Sequence, residues 1–261
     1  MIKTEKGKEL LSQLKNCDFD SYQLFQDVLD KNCALDGLHA AMLTTFLYNA
    51  WATQDDKIEN GTRFSAHSAG IFNVLLASGS ASFQDIVAFI KKRAQLVESA
   101  SHQEELFLVM TDNMTLLTQE VLSVHPDKFQ LAILTDDISG VLAMKNDDSA
   151  LLQNLAQQAN CSLKIKQLGV KAPYHTSFLN QTQEKYGELV QALNIVQNEA
   201  YSYLFHCDDL TDEIMYQWNH CFDWNGIKEK ILNQETRIID LSPNKFISKQ
   251  LMKMKKRKEK R

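Results

Sequence analysis

Residues 63–79 read RFSAHSAGIFNVLLASG, which joins a short strand candidate to an apolar helix through a turn of small residues. The segment at 66–70 is close to the pattern G-x-S-x-G, with Ala66 in the position of the first glycine. In that pattern the chain turns sharply from strand to helix, so bulky neighbours of the serine would clash. The turn predicts a nucleophilic Ser68 beside a helix N-terminus, where the Ala69 N–H can donate to an oxyanion. An ordinary strand-to-helix turn is the alternative interpretation.

A serine nucleophile needs a general base, and histidine is the usual one. His175 is the best candidate among the seven histidines, because it lies in the compact segment APYHT at 172–176. His67 is adjacent to Ser68, but in such turns that side chain usually packs beneath the nucleophile. His39, His102 and His125 lie in helical or loop contexts without an evident partner.

The chain is poor in glycine and proline, which limits its fold class. Average usage would give about 31 such residues in a chain of this length, whereas the 261 residues contain 9 Gly and 3 Pro. This shortage excludes collagen-like, linker-rich and disordered proteins and disfavours an all-β sandwich. With 44% hydrophobic residues, the length fits one large domain, or one domain that carries an insert.

The net charge of −5 is the sum of a basic C-terminal segment and an acidic remainder of the chain, called the acidic body below. Residues 251–261 carry seven Lys/Arg and one Glu. The basic tail at 254–261 could bind nucleic acid or anionic lipid, although a solvated terminus is the more common outcome. The acidic body argues against a nucleic-acid-binding surface on the fold itself.

The cysteines and the hydropathy pattern indicate the cellular compartment in which the protein is expected. Five cysteines occur without a CxxC pair, and we find neither a signal-peptide-like apolar segment nor an apolar run near 18 residues. We therefore expect a reduced, cytoplasmic protein without a membrane span.

Hydrophobic periodicity predicts helices over residues 6–56, with an apolar and largely buried helix at 38–51. Residues 63–67 are a short strand candidate and 69–78 a helix that Gly79 ends. Ser82 and Asp85 then form a capping box for a helix that runs to about Ser99.

The middle of the chain alternates strands and helices. Strands at 104–111, 129–135, 140–144 and 162–168 enclose helices at 113–124 and 148–159. The order β-α-β-β-α-β is the ferredoxin-like signature. We therefore predict a ferredoxin-like subdomain at 104–171, inserted in a larger α/β core formed by 1–103 and 172–261. Within the second part of the core we expect helices at 178–194, 210–219, 226–233 and 245–254, and strands at 199–206 and 236–241.

Five segments, in order along the chain, resemble the malonyl-CoA:acyl carrier protein transacylase family, which includes the acyltransferase domains of polyketide synthases. Residues 38–51 resemble the family's buried helix, and 66–99 resemble its Gly-His-Ser-x-Gly-Glu segment and the helices that follow. The segment 172–176 resembles Pro-x-His-(Ser/Thr). Tyr216-Gln217 with Trp224 resembles Gln-Leu-x-Asn-Pro-Val-x-Trp, and LSPNKF at 241–246 resembles a Gly-Pro turn near the family's end.

The resemblance implies a fold and a set of roles. The fold would be an acyltransferase-type α/β-hydrolase-like core with the ferredoxin-like subdomain inserted. Ser68 would accept the acyl group, and His175 would act as general base and then as general acid. A backbone carbonyl near Gln217 would orient His175, and Arg93 would pair with the free carboxylate of a malonyl group. Without the resemblance, Arg93 would be a solvated helix charge beside Lys91 and Lys92, and Gln217 a surface glutamine.

The implied reaction moves a malonyl group from coenzyme A to Ser68 and then to the phosphopantetheine thiol of an acyl carrier protein, in fatty-acid or polyketide biosynthesis. Malonyl-CoA and the carrier protein would be the partners, and no metal or redox cofactor would be needed. Ala69 and His67 would border the acyl site beside Ser68.

Several positions depart from the family pattern. The family opens with a strand and a Gly-Gln-Gly-Ser-Gln loop that supplies a second oxyanion donor, whereas MIKTEKGKELL resembles the segment after that loop. Loss of one donor typically costs about 100–1,000-fold in rate, so we expect weakened activity or a partner that completes the segment. Ile71 replaces a glutamate, His220-Cys221 replace Asn-Pro, and residues 134–136 replace Asn-x-Asn.

Other functions stay open at this point. An acyl hydrolase of the same fold would release the acyl group to water. A catalytically weakened carrier-protein-binding module would need no acyl transfer. An unrelated α/β-hydrolase would need a carboxylate between Ser68 and His175. A metal site at His206-Cys207 and His220-Cys221 is disfavoured, because the side chains of adjacent residues diverge.

Overall fold

The computed structural model of the protein describes residues 3–31, 37–53, 58–100, 102–234 and 237–259. The chain divides into two compact units. The first comprises Met1–Gln95, Gly187–Glu213 and Ile227–Arg261, and the second comprises Leu96–Tyr186 and Ile214–Gly226. The parts of the predicted helical region 6–56 at residues 32–36 and 54–56 lie outside the described residues, as do the last two residues of the basic tail.

The first unit opens with three helices, as the sequence predicts: α1 (Glu5–Cys17), α2 (Phe19–Leu29) and α3 (Leu38–Thr53). The caps explain where two of them begin, because the Thr4 and Asp18 side chains accept backbone N–H groups of α1 and α2. Helix α3 buries Leu38, Ala40, Leu43, Phe46, Leu47 and Ala50, whereas Tyr48 is 42% exposed. The prediction of a buried apolar helix at 38–51 is therefore confirmed for those six residues.

The segment quoted first forms strand β1 (Arg63–Phe64), a 3₁₀ turn (Ser68–Gly70) and helix α4 (Ile71–Ala77). β1 pairs parallel with β6 (Ser202–Tyr203) over two residues, so both strands are shorter than the predicted 63–67 and 199–206. Helix α5 (Phe83–Ser99) begins at the predicted capping box: the Ser82 hydroxyl oxygen accepts from the Asp85 N–H at 3.1 Å and its O–H donates to the Asp85 carboxylate at 2.6 Å.

The second unit contains a five-stranded sheet built on the predicted β-α-β-β-α-β segment. Its strands are β2 (Glu104–Thr111), β3 (Gln130–Asp136), β4 (Ser139–Lys145), β5 (Leu163–Gln167) and β7 (Phe222–Asp223), in the spatial order β5-β2-β4-β3-β7. The first four pair antiparallel in the ferredoxin-like order, which confirms that prediction, and β7 pairs parallel with β3.

Two helices cover this sheet and close its core. They are α6 (Met114–Leu117), which continues into a π-helical turn at Thr118–Leu122, and α7 (Ser149–Gln158). The core contains Phe107, Leu117, Phe129, Leu142 and Leu152. This burial of large apolar side chains is the main source of stability for the unit.

The remaining α-helices are α8 (Gln183–Ala192), α9 (Leu210–Asn219), α10 (Trp224–Leu232) and α11 (Phe246–Lys258), and 3₁₀ helices occur at Asn146–Asp148, Ser177–Thr182 and Pro243–Lys245. A strand is predicted at 236–241, but residues 237–241 form no regular structure, so the prediction is wrong for them. The Asp240 carboxylate accepts the N–H groups of Ser242 and Ser248, at 2.8 and 2.6 Å, and so bends the chain into the start of α11. Among the described residues, no helix is both long and apolar enough to cross a membrane.

Candidate active site

Ser68 occupies a strained turn between β1 and α4. Its φ angle is +48°, in the left-handed region that residues other than glycine seldom adopt. This conformation costs about 1–2 kcal/mol in an L-residue. Strain of this kind persists where the surrounding structure enforces it, and it concentrates at functional sites. The strand-turn-helix context predicted for the nucleophile is therefore present, with a strained backbone at the serine itself.

The small residues on either side of Ser68 are needed for packing. A Cβ atom placed on Gly70 would lie 3.1 Å from the Cβ of Ala66, which is tighter than normal contact. The Gly70 N–H donates to the His67 carbonyl at 3.1 Å and so closes the turn. Ala66 is thus tolerated in place of a glycine because position 70 has no side chain.

The His67 side chain packs edge-on against Phe246, with 5.7 Å between ring centroids. Burial, together with the nearby charge of Lys228, lowers the pKa of His67 to about 4. The imidazole is therefore neutral near pH 7. Lys228 itself is 1% exposed, which is unusual for lysine.

Arg93 is buried in the first unit, with 7% of its surface exposed. Its Nη1 donates to the Met42 Sδ at 3.1 Å, and its guanidinium carbon lies 5.9 Å from the centroid of the Phe72 ring. The interpretation of Arg93 as a solvated helix charge is therefore wrong. Its neighbour Lys91 behaves differently and pairs with Asp18 and Asp20, at 3.0 and 3.1 Å.

His175 lies in the second unit and is 3% exposed. Its φ angle is +65°, so it shares the left-handed conformation of Ser68. The backbone N–H of His175 donates to the Trp218 carbonyl at 3.1 Å, and the ring lies 5.5 Å from Phe222. This bond holds the backbone of His175 and not its imidazole, so the orientation of the imidazole by a carbonyl near Gln217 stays a prediction.

Helix α9 and the residues around it form the support of His175. Trp218 is fully buried, stacks on Tyr186 with 3.9 Å between ring centroids, and donates through Nε1 to the Thr182 hydroxyl at 3.2 Å. Tyr174 packs against the same indole at 6.1 Å. Gln217 is buried as well, so the interpretation of Gln217 as a surface residue is wrong.

Sequence reasoning missed several supporting residues: Met42, Phe72, Trp218 and Lys228. Only Trp218 carries a sequence signal, because it lies between the quoted Gln217 and Trp224. The others sit in apolar or charged helical patterns that resemble ordinary core or surface positions.

The paired His-Cys segments have structural contacts. Glu213 is fully buried and accepts the backbone N–H groups of His206 and Cys207, at 3.0 and 2.9 Å, while its other oxygen lies 3.0 Å from the His206 Nδ1. No group of three potential metal ligands occurs in the described part of the chain. His220 instead stacks on Tyr216 at 4.7 Å.

Comparison with solved structures identifies the fold. The chain superimposes on the malonyl-CoA–acyl carrier protein transacylase of Coxiella burnetii with a TM-score of 0.81 at 13% identity, covering 98% of this chain and 84% of the other. The corresponding enzyme of Streptococcus pneumoniae gives a TM-score of 0.77 at 17% identity, over 95% and 85% of the two chains. A scan of protein-family models and a search of curated protein sequences both give no match.

The structure therefore defines a mixed α/β protein with the acyltransferase fold. Its structural neighbours are malonyl-CoA:acyl carrier protein transacylases and polyketide synthase acyltransferase domains. One neighbour, with a TM-score of 0.71 at 12% identity over 92% and 86% of the two chains, is a malonyl-transacylase in complex with a type II polyketide synthase acyl carrier protein.

Proposed function

We propose that the protein transfers a malonyl group from coenzyme A to an acyl carrier protein through an ester on Ser68. The strained Ser68 turn, in a chain with the acyltransferase fold, is the observation that carries this proposal. Such a turn projects the hydroxyl away from its neighbours and leaves room for a bulky thioester.

The first half-reaction forms the ester. The Ser68 Oγ attacks the thioester carbonyl carbon while His175 takes the hydroxyl proton, and the Ala69 N–H donates to the oxyanion that develops. The C–S bond then breaks, and coenzyme A leaves as a thiol with the proton from His175. His67 stays neutral at this stage, because its pKa is held near 4.

The second half-reaction reverses the first with a different thiol. The phosphopantetheine thiol of the carrier protein gives its proton to His175 and attacks the malonyl ester of Ser68. Collapse of the tetrahedral intermediate breaks the C–O bond, and the Ser68 oxygen recovers the proton. The net change is a thioester exchange, so no oxidant, reductant or metal enters the balance.

Arg93 supports the choice of a dicarboxylic acyl group. A guanidinium presents paired N–H groups that match a carboxylate in a fork-to-fork geometry. The Arg93 side chain is packed between Met42 and the Phe72 ring, which limits its rotamers. A buried cation also favours an anionic acyl group over a neutral one of similar size.

The test is incubation with malonyl-CoA and measurement of the intact mass. We expect the mass of one malonyl group to be added and to be mapped to Ser68 by peptide mass spectrometry, and Ser68→Ala to remain unmodified. Subsequent addition of a phosphopantetheinylated carrier protein should move the group to that protein. A folded wild-type chain that stays unlabelled would refute the proposal, and release of free malonate without carrier acylation would assign a hydrolase.

A further inference from the structure

The bend that contains His175 is held from two sides. Upstream, the His175 N–H donates to the Trp218 carbonyl. Downstream, Ser177 is bound by Gln130, the first residue of β3. The Gln130 Oε1 accepts from the Ser177 N–H at 2.8 Å and lies 3.0 Å from its Oγ, while the Gln130 Nε2 donates to that Oγ at 2.8 Å.

The Gln130 amide is itself fixed in orientation. Its Nε2 also donates to the Pro126 carbonyl at 2.9 Å, so both of its polar ends are engaged. The Thr176 hydroxyl, between the two anchors, donates to the Pro173 carbonyl at 2.6 Å. The three residues 175–177 therefore have little freedom to relax.

His175 needs such anchors because its backbone is strained. A left-handed φ of +65° in a residue other than glycine is stable only where contacts on both sides exceed its cost. Removing the downstream anchor would let residues 176–177 move and the φ angle of His175 drift toward the ordinary region. The imidazole would move with the backbone.

We propose that Gln130 is a positioning residue for His175, which acts through Ser177 and touches neither substrate nor the reacting atoms. The inference rests on the proposed function, because it assigns Gln130 to the geometry of the general base. Displacement of a catalytic group by about 1 Å can cost about 100-fold in rate. We expect Gln130→Ala to lower kcat for malonyl transfer about tenfold, within that range, and to leave the KM for malonyl-CoA unchanged.

Three variants separate positioning from general stability. Gln130→Ala removes all side-chain contacts with Ser177, whereas Gln130→Glu keeps an oxygen that accepts from the Ser177 N–H and O–H but loses the Nε2 donation to the Pro126 carbonyl, and should restore kcat only in part. Gln157→Ala is the matched control, because Gln157 is an exposed glutamine on α7 in the same unit. Thermal unfolding of all three should show that the fold survives.

Amide hydrogen exchange gives a readout that does not depend on activity. Exchange at residues 175–177 should accelerate in Gln130→Ala and stay at the wild-type rate in Gln157→Ala. Unchanged exchange at residues 175–177 in Gln130→Ala would overturn the inference. Faster exchange with an unchanged kcat would also overturn it, provided that the wild-type protein forms the Ser68 ester. A wild-type chain that forms no Ser68 ester refutes the proposed function instead, and exchange alone then decides whether Gln130 holds the bend.

Discussion

The guanidinium carbon of Arg93 lies 5.9 Å from the centroid of the Phe72 ring. Phe72 belongs to the first turn of α4, four residues after Ser68, and its ring also packs against Phe89 with 5.4 Å between centroids. One aromatic side chain thus links the helix that begins at the candidate nucleophile to the cation on α5. The proposed carboxylate selectivity of Arg93 and the placement of Ser68 would therefore both depend on the Phe72 ring.

Phe72→Leu should weaken selectivity for malonyl-CoA while the fold is retained. A cation–π contact is worth about 0.5–2 kcal/mol, so we expect the KM for malonyl-CoA to rise about fivefold and the rate of any acylation by acetyl-CoA to be unchanged. Steady-state acylation with both thioesters measures this. Phe25→Leu, in the buried face of α2, controls for a loosened core, and an equal loss with both thioesters would contradict the prediction.

Arg93→Lys should strongly reduce acylation by malonyl-CoA, although the substitution keeps the positive charge. Lysine cannot present paired N–H groups in one plane and is more strongly hydrated than arginine. We expect malonyl-CoA acylation to fall about 100-fold, by analogy with the loss of other charge-assisted pairs. Competition between malonyl-CoA and acetyl-CoA, read by the mass of the Ser68 ester, checks the change in preference. A retained preference for malonyl would assign carboxylate binding to another residue.

Gly70→Ala should destabilise the protein although the Gly70 backbone is helical, with φ −60° and ψ −16°. Alanine at such a position normally stabilises by about 0.4–1 kcal/mol, but here its Cβ meets the Ala66 Cβ at 3.1 Å. In the Ala66→Gly background the conflict is absent, so the same change should become stabilising. Urea unfolding of the four proteins gives the coupling free energy, which we expect to be about 1 kcal/mol. Additive effects of Gly70→Ala and Ala66→Gly on the free energy of unfolding would contradict the prediction, because they would show that Ala66 moves away from the new Cβ.

Ser68→Gly should be more stable than Ser68→Ala, although both lack the nucleophile. Glycine adopts the observed φ of +48° without steric cost, whereas alanine retains the clash. The difference in free energy of unfolding should be about 1 kcal/mol. Equal stabilities would indicate that the turn relaxes once the hydroxyl is removed.

His67 should make folding stability depend on pH below neutrality. Its pKa is about 4 in the folded protein and about 6.5 in the unfolded chain, so between these values the unfolded chain binds more protons. Stability is therefore complete above pH 6.5 and falls as the pH drops toward 4, by up to about 1.4 kcal/mol per pH unit. Urea unfolding from pH 4.5 to 7.5, with His67→Gln as control, measures this. NMR titration in Lys228→Met should give a higher His67 pKa.

Local sequence signals predict the parts of the fold that depend on neighbouring residues. The capping box of Ser82 and Asp85 fixes the start of α5, and the alternation in 104–111 matches β2 from end to end. β1 and β6 are shorter than predicted because the extent of a two-stranded ladder depends on a partner more than 130 positions away. The apolar Ile238 and Ile239 suggest a strand, yet both are exposed, because Asp240 redirects the backbone.

The site is predicted less completely than the fold. Motif positions select Ser68, His175 and Arg93, but no local pattern encodes the left-handed backbone at the first two. The Trp218 carbonyl and the Gln130 amide act through tertiary contacts, and a backbone carbonyl has no sequence signature at all. The burial of Arg93 likewise depends on Phe72 and Met42, which read as ordinary core residues.

β7 is synthesised long after the other strands of its sheet, and this order affects how the second unit folds on the ribosome. β3 ends at Asp136, but its parallel neighbour begins only at Phe222. During synthesis the outer edge of β3 therefore stays unpaired while the intervening chain emerges, and unpaired edges are sites of misassociation. The same interval delays Trp218, so the carbonyl that binds the His175 N–H is among the last parts of this unit to be synthesised. Co-translational folding can thus build the ferredoxin-like sheet early, but the backbone support of His175 must wait until α9 has been made.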